Sequence, residues 1–229
     1  MNKIQQIIIA LVILITWSCN NPSKVNSETE QNEAHKIEIV TKTFSVNLEG
    51  DKPEKDTINM IQSMVIDEGG KEIANRYYNL DGSVSWSDEY DYDENENKIG
   101  SRYFESDGNQ TTYYEYDLDS LGRRIAYRAK DVNTDTLLYD GASQYLYNGK
   151  IRRDGYFNKT GEFKYNFEYQ FDEDGKEIGY IYIDLRSGEK YPSKYRYTKF
   201  NDKDKWVERE IVENEKVKSI EVREFKEIE

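Results

Sequence analysis

Residues 163–171 read Phe163-Lys164-Tyr165-Asn166-Phe167-Glu168-Tyr169-Gln170-Phe171, an unbroken alternation of ring and polar side chain. Successive side chains of an extended strand point to opposite sides. Phe163, Tyr165, Phe167, Tyr169 and Phe171 are therefore expected on one face, with Lys164, Asn166, Glu168 and Gln170 on the other. A helix would scatter the same rings around its axis, so this period of two means a half-buried strand. The pattern returns in Ser85–Tyr92, where Trp86, Tyr90 and Tyr92 share a side against Ser85, Ser87, Glu89 and Asp91. Around Ile178–Leu185 both sides are apolar, Ile178, Tyr180 and Tyr182 against Ile181, Ile183 and Leu185. That predicts a central strand covered on both faces, the most protected part of the sheet.

Turn residues punctuate these stretches at Gly69–Gly70, Asp81–Gly82, Asp107–Gly108, Asn148–Gly149, Gly161, Asp174–Gly175 and Ser187–Gly188. Glycine, Asn and Asp supply the left-handed positions that tight hairpins need. Short loops pair sequential strands antiparallel, and counting runs between turns gives about a dozen strands. No segment after the N-terminal region has a helical period. The expected fold is all-β: a repetitive antiparallel hairpin meander over 37–229 forming one extended, twisted or curled sheet. Its terminal strands should be charged, to discourage edge-to-edge pairing, as the Glu-, Lys- and Arg-rich stretch Glu208–Glu229 is.

A degenerate repeat underlies the alternation. Tyr90-Asp-Tyr92-Asp93 leads to Lys98-Ile99, Tyr114-Glu-Tyr116-Asp117 to Gly122-Arg-Arg-Ile125, and Tyr169-Gln-Phe171-Asp172 to Gly175-Lys-Glu-Ile178. Tyr145-Leu-Tyr147-Asn148-Gly149-Lys150-Ile151 is a shortened copy, and Tyr195-Arg-Tyr197 begins a fainter one. The spacing from Asp93 to Asp117 accommodates two strands and two turns. On these residues the chain resembles the YD-repeat (RHS-like) family of bacterial surface and secreted proteins, roughly over residues 77–205. The resemblance implies a repetitive antiparallel sheet and carries over no catalytic residue, because the family's motif is structural. Stacked hairpins would bury the aromatics that a lone hairpin cannot.

The N-terminus reads differently. Lys3 precedes Ile7–Ile15, apolar without a break and about half of the roughly 20 residues of a membrane-spanning helix. Ser18 and then Cys19, the sole cysteine, end it, and polar sequence begins at Asn20. A lone cysteine forms no internal disulfide. The segment resembles a bacterial lipoprotein signal, which implies cleavage before an acylated Cys19; the alternative is an ordinary signal peptide with an incidental cysteine. The expected organisation is a signal over 1–18, a flexible tether over 19–36 and the β domain over 37–229. By the rule of that family, Asn20 rather than Asp after the cysteine allows outer-membrane sorting, so the expected location is the bacterial cell envelope.

Charge narrows the partners. Removing residues 1–18 takes away one base, Lys3, and no acid, moving the formal charge from −13 to −14. So acidic a chain is a poor ligand for nucleic acid or for anionic lipid headgroups. Attachment to a membrane would come from palmitate-type acyl chains, of which two or more hold a protein firmly. The 20 tyrosines fit pleated, half-buried surfaces whose hydroxyls reach water.

Reactive chemistry finds little support. Asp93-Glu-Asn95-Glu-Asn97 and Asp117-Leu-Asp119 imitate the start of a calcium loop. Lys98 and Phe104, or Gly122 and Arg128, then occupy the positions where an EF-hand needs glycine and a bidentate Glu, so each fails at least one. They read as hairpin turns. His35 is the sole histidine, which leaves no common serine or cysteine triad. No glycine-rich phosphate loop opens a helix. The expectation is a non-enzyme without cofactor or metal. The aromatics Trp86, Tyr90, Tyr92, Tyr114, Tyr116, Tyr169, Tyr180, Tyr182, Tyr195 and Tyr197 could form a ladder that stacks on sugar rings or anchors a protein; the plainer account makes them the sheet's packing. The expected function is a membrane-anchored binding module. An acidic inhibitor that neutralises a basic toxin, or a structural envelope spacer, stands as the alternative.

Overall fold

In the computed structural model, which describes residues 35–48 and 53–228, the alternating stretches become fourteen strands. They are β1 (Lys36–Asn47), β2 (Glu54–Ile66), β3 (Glu72–Tyr78), β4 (Val84–Tyr92), β5 (Lys98–Glu105), β6 (Gln110–Leu118) and β7 (Arg124–Asp131). β8 (Leu137–Leu146), β9 (Ile151–Phe157), β10 (Phe163–Phe171), β11 (Glu177–Ile183), β12 (Lys190–Phe200), β13 (Trp206–Glu213) and β14 (Lys216–Ile228) complete the set. The expected signal, Cys19 and nearly all of the expected tether lie outside the described residues.

One turn design serves much of the chain. Asp93 Oδ1 accepts the N–H groups of Asn95 (2.9 Å) and Asn97 (2.8 Å). Asp119 does the same for Leu121 and Arg123, Asp172 for Asp174 and Lys176, and Asn201 for Lys203 and Lys205. The fourth residue of each turn takes positive φ: Glu96, Gly122, Gly175 and Asp204. This is a five-residue hairpin loop with a left-handed residue before the returning strand. In the first and third copies the aspartate of the repeat, Asp93 or Asp172, is thus the side-chain acceptor that shapes the turn; in the second that part falls to Asp119, and Asp117 stays on the strand. The aliphatic residue that follows is displaced. Tyr92 faces Lys98 and Asp91 faces Gly100, which leaves Ile99 in a bulge. Ile99, Ile125 and Ile178 are 41%, 40% and 41% exposed.

Every strand pairs antiparallel with the next, as the meander requires, and β1 pairs with β14 to close a barrel. The open sheet with charged edges is therefore corrected. Lys36 to Ser45 lie opposite Ile228 to Ser219, and the Lys42–Glu224 ion pair (2.9 Å) crosses the seam. Charges expected to guard an edge hold two ends together.

Two further expectations change. The five rings of β10 do not share a face: Phe167 lies opposite Asp154 and Tyr165 opposite Gly155, so Asn166 is an unmatched residue. This bulge turns Phe163 and Tyr165 to the other side from Phe167, Tyr169 and Phe171. Tyr165 lies beneath the Arg153 guanidinium, and Phe163 packs on Phe157. The stretch Ile178–Leu185 is also not the protected centre, with Ile178, Tyr182 and Leu185 all exposed by 39% or more. Ile178 occupies a bulge and Leu185 a turn, where apolar residues gain no covered face.

The faces divide by chemistry. Rings and a few charges occupy one. On the other, oppositely charged residues stand directly across from each other: Glu89 and Arg102, Glu115 and Arg128, Glu168 and Arg153, Glu210 and Arg196. Arg102 also reaches Asp91 at 3.3 Å, and Arg128 reaches Asp117 at 2.8 Å. The aromatic face is the inner one, because side chains of β4 and of β9, five strands apart, line a single cavity of about 380 Å³. Only the concave side of a barrel brings such strands together.

Candidate functional site

All ten aromatic residues expected to form the ladder stand on the inner wall, in two groups set by the strands that carry them. Trp86, Tyr90 and Tyr92 (β4) with Tyr114 and Tyr116 (β6) form one group; Tyr169 (β10), Tyr180 and Tyr182 (β11) with Tyr195 and Tyr197 (β12) form the other.

In the first group Trp86 stacks on Tyr77 (centroids 3.8 Å apart, planes at 17°) and touches Tyr103 at 5.5 Å. Tyr114 joins Tyr127 and Tyr139, and its hydroxyl shares a 2.6 Å hydrogen bond with that of Tyr139 two strands away. Asn75 Nδ2 donates to Tyr90 Oη at 2.7 Å, and Lys98 Nζ sits 3.5 Å from the Tyr90 ring centroid while pairing with Glu72 at 2.7 Å. Tyr92 donates its hydroxyl proton to the Glu72 carbonyl; burial and the Glu72 charge push it up to about 12. Tyr116 bonds Ser101 at 2.8 Å. The 380 Å³ cavity takes in Tyr90, Tyr114 and Tyr116, with Asp88, Lys98, Arg124 and Asp154 supplying charges. Trp86 and Tyr92 lie on the same face outside its lining.

The second group repeats the design. Tyr197 donates to the Glu177 carbonyl at 2.6 Å, the counterpart of Tyr92 on Glu72. Tyr180 links Phe167, Tyr169 and Tyr195 at 6.0–6.5 Å between centroids. A cavity of about 470 Å³ is lined by Phe167, Tyr180, Tyr182, Tyr191 and Ser193, with Asp184 and Glu213 at its polar side. Tyr169, Tyr195 and Tyr197 line other parts of the wall.

Sequence reading missed the charges among the rings. Asp88 stands at period two between Trp86 and Tyr90, and Arg152 and Asp154 share inner parity on β9, so parity was the available signal. Burial, reinforced by Glu72 and opposed by Lys98, pushes Asp88 up to about 6, and its Oδ1 has no hydrogen-bond partner. Burial also raises Glu177 against the pull of Arg209 and Arg152. Burial and the neighbouring Arg209 depress Arg223 to about 10. Tyr77, Tyr103, Tyr127, Tyr139, Tyr191 and Trp206 are among the inner rings that the ladder did not include.

The acidic stretches once compared with calcium loops have other work: Asp93 and Asp119 shape turns, and Asp117 pairs with Arg128 on the outer wall. Among the described residues no group of three or more His, Cys, Asp or Glu is placed to hold a metal ion. No protein-family model matches the chain, and no curated protein matches it. Among solved structures the chain is similar to a porin-like protein from Bacteroides uniformis (10% identity, TM-score 0.39), over 82% of this chain and 97% of that one. It is similar to a LolA-superfamily protein from Nitrosomonas europaea over 84% of each chain (8% identity, TM-score 0.32). The Photorhabdus luminescens Tc holotoxin pore matches 79% of this chain with 11% of its own (11% identity, TM-score 0.27). Likenesses this distant leave the function to be read from the wall itself.

Proposed function

We propose that this chain is a lipid-anchored protein of the bacterial envelope, acylated at Cys19, whose barrel binds a saccharide in its aromatic interior without catalysis. The observation that carries the binding reading is the convergence of Tyr90, Tyr114 and Tyr116 with Asp88, Lys98, Arg124 and Asp154 on one cavity. Ring faces stack on the C–H faces of sugars, while carboxylates and guanidinium groups meet hydroxyls. An inner position disfavours a folded protein as the ligand, since only a slender or small molecule enters a barrel. Fourteen strands lie between the eight that side chains fill and the 16–18 that leave a water-filled channel.

The test is a glycan array probed with the full-length chain in detergent, followed by calorimetric titration of a retained oligosaccharide. Tyr114→Ala is expected to weaken binding roughly three- to tenfold. Retention of no glycan above the detergent background would sink the reading.

A further inference from the structure

Inside the barrel Arg223, on β14, has its guanidinium 3.6 Å from the centroid of the Trp206 ring. Arg209 approaches the same ring at 4.5 Å, so two cations share one aromatic platform. Two carboxylates, Glu221 and Glu177, act on them electrostatically. Arg209 Nε donates to Glu221 Oε2 at 2.5 Å, and Glu221 is 5% exposed, so this carboxylate is already committed. Arg223 makes no ion pair and no hydrogen bond among the described residues, and its Nε is both buried and unpartnered. A second orphan lies beside it. Thr43, opposite Glu221 across the β1–β14 seam, is 9% exposed and its Oγ1 has no partner. Register puts Thr43 diagonal to Arg223 on the inner wall, about 7–8 Å away between Cα atoms. Two unused donors, a guanidinium N–H over the Trp206 ring and a hydroxyl one register step away, thus stand on the same inner wall. Native structures rarely leave buried donors unmatched.

We propose that Arg223, Thr43 and Trp206 form an oxyanion subsite, which takes the carboxylate or phosphoryl group of an acidic ligand. The guanidinium donates to the oxyanion, Thr43 adds a hydroxyl, and Trp206 holds the Arg223 plane in place. Charge-assisted bonds of this kind are about twice as strong as neutral ones. Burial, reinforced by Arg209 and opposed by Glu221, Tyr197 and Glu177, depresses the Arg223 titration. The subsite stands on its own observations and on different strands from the Tyr114 cavity. If that cavity also binds sugar, the natural ligand is an acidic saccharide rather than a neutral one.

The test follows arginine Nε–Hε correlations by NMR in the full-length ¹⁵N-labelled chain, with the Arg223 signal assigned by its loss in Arg223→Lys. Glucuronate, inorganic phosphate and glucose are titrated separately. A saturable shift of the Arg223 signal with glucuronate alone identifies an acidic sugar, and a shift with phosphate as well identifies any oxyanion; both support the subsite. No shift with either anion, or an equal shift with glucose, overturns it. Arg223→Gln should weaken the anion at least about tenfold. Should that variant unfold, Thr43→Val removes only the hydroxyl and should weaken binding roughly threefold. Tyr114→Ala leaves the anion response intact while lowering neutral-sugar affinity, so the two readings fail separately.

Discussion

A single atom decides whether a residue of this wall packs, pairs or waits for a ligand. Asp88 shows it. Its side chain sits at the same parity as Trp86 and Tyr90, where burial and the Glu72 charge hold its carboxyl near 6 rather than the ordinary 3.8. The folded chain therefore binds this proton more tightly than the unfolded chain does. The stability so gained is complete below about pH 4 and is lost as pH rises through 6. Asp88→Asn should match the wild type near pH 4 and exceed it at pH 7–8 by about 1 kcal/mol after allowance for solvent screening. Melting temperatures by circular dichroism across that range check this, and equal stability at pH 8 would remove the burial argument. Turn residues were readable at the same scale where glycine marked them, as at Gly175. Glu96 and Asp204 adopt the same left-handed geometry with no glycine to announce it, because the flanking hydrogen bonds of Asp93 and Asn201 impose the turn.

Strands were legible through parity, and parity fails where a bulge intervenes. The inner positions of β4 and β6 follow from alternation alone, and so does their outward acidic set: Glu89, Asp91, Glu115 and Asp117 find Arg102 and Arg128. In β10 the alternation is perfect in sequence and broken in space at Asn166. The reason lies on the neighbouring strand. A Cβ on Gly155 would stand 1.9 Å from the Lys164 carbonyl oxygen, so the two backbones approach where no side chain fits. The signal for the flip was a glycine in β9, not anything in β10. Gly155→Ala must push β9 and β10 apart and should cost about 1–3 kcal/mol, the range of overpacked sites. Urea denaturation measures it, and a loss below a few tenths would mean that the bulge is soft. Phe163 and Tyr165, which the flip places outside with Phe157, were unreadable as outer residues for the same cause.

Closure is the property least visible in the chain, because no local pattern says that β14 returns to β1. Hairpin rules fix each neighbour pair, but the last pairing joins residues such as Lys42 and Glu224, separated by nearly the whole domain. Once closed, the wall also settles which solvent it faces. A membrane-spanning barrel turns an apolar band about 25 Å tall toward lipid and keeps polar groups inside. This wall largely reverses that order: most rings inside, and outside the ion pairs of Arg102, Arg128, Arg153 and Arg196 with their carboxylates at mid-strand. An outward Arg near a bilayer midplane costs about 2–4 kcal/mol, and four of them on strands around the ring weigh against insertion. Such a wall predicts a barrel that stays in water, with any hold on a membrane left to the acyl group proposed at Cys19. Detergent phase partition separates these cases. The wild-type chain should enter the Triton X-114 phase, and Cys19→Ala, lacking the acylated thiol, should move to the aqueous phase with its barrel intact. Retention of Cys19→Ala in the detergent phase would mean that the wall itself, or an uncleaved N-terminal segment, binds the membrane. Protease trimming to the barrel then tells those two apart, because a barrel that still partitions into detergent would contradict the charge arrangement directly.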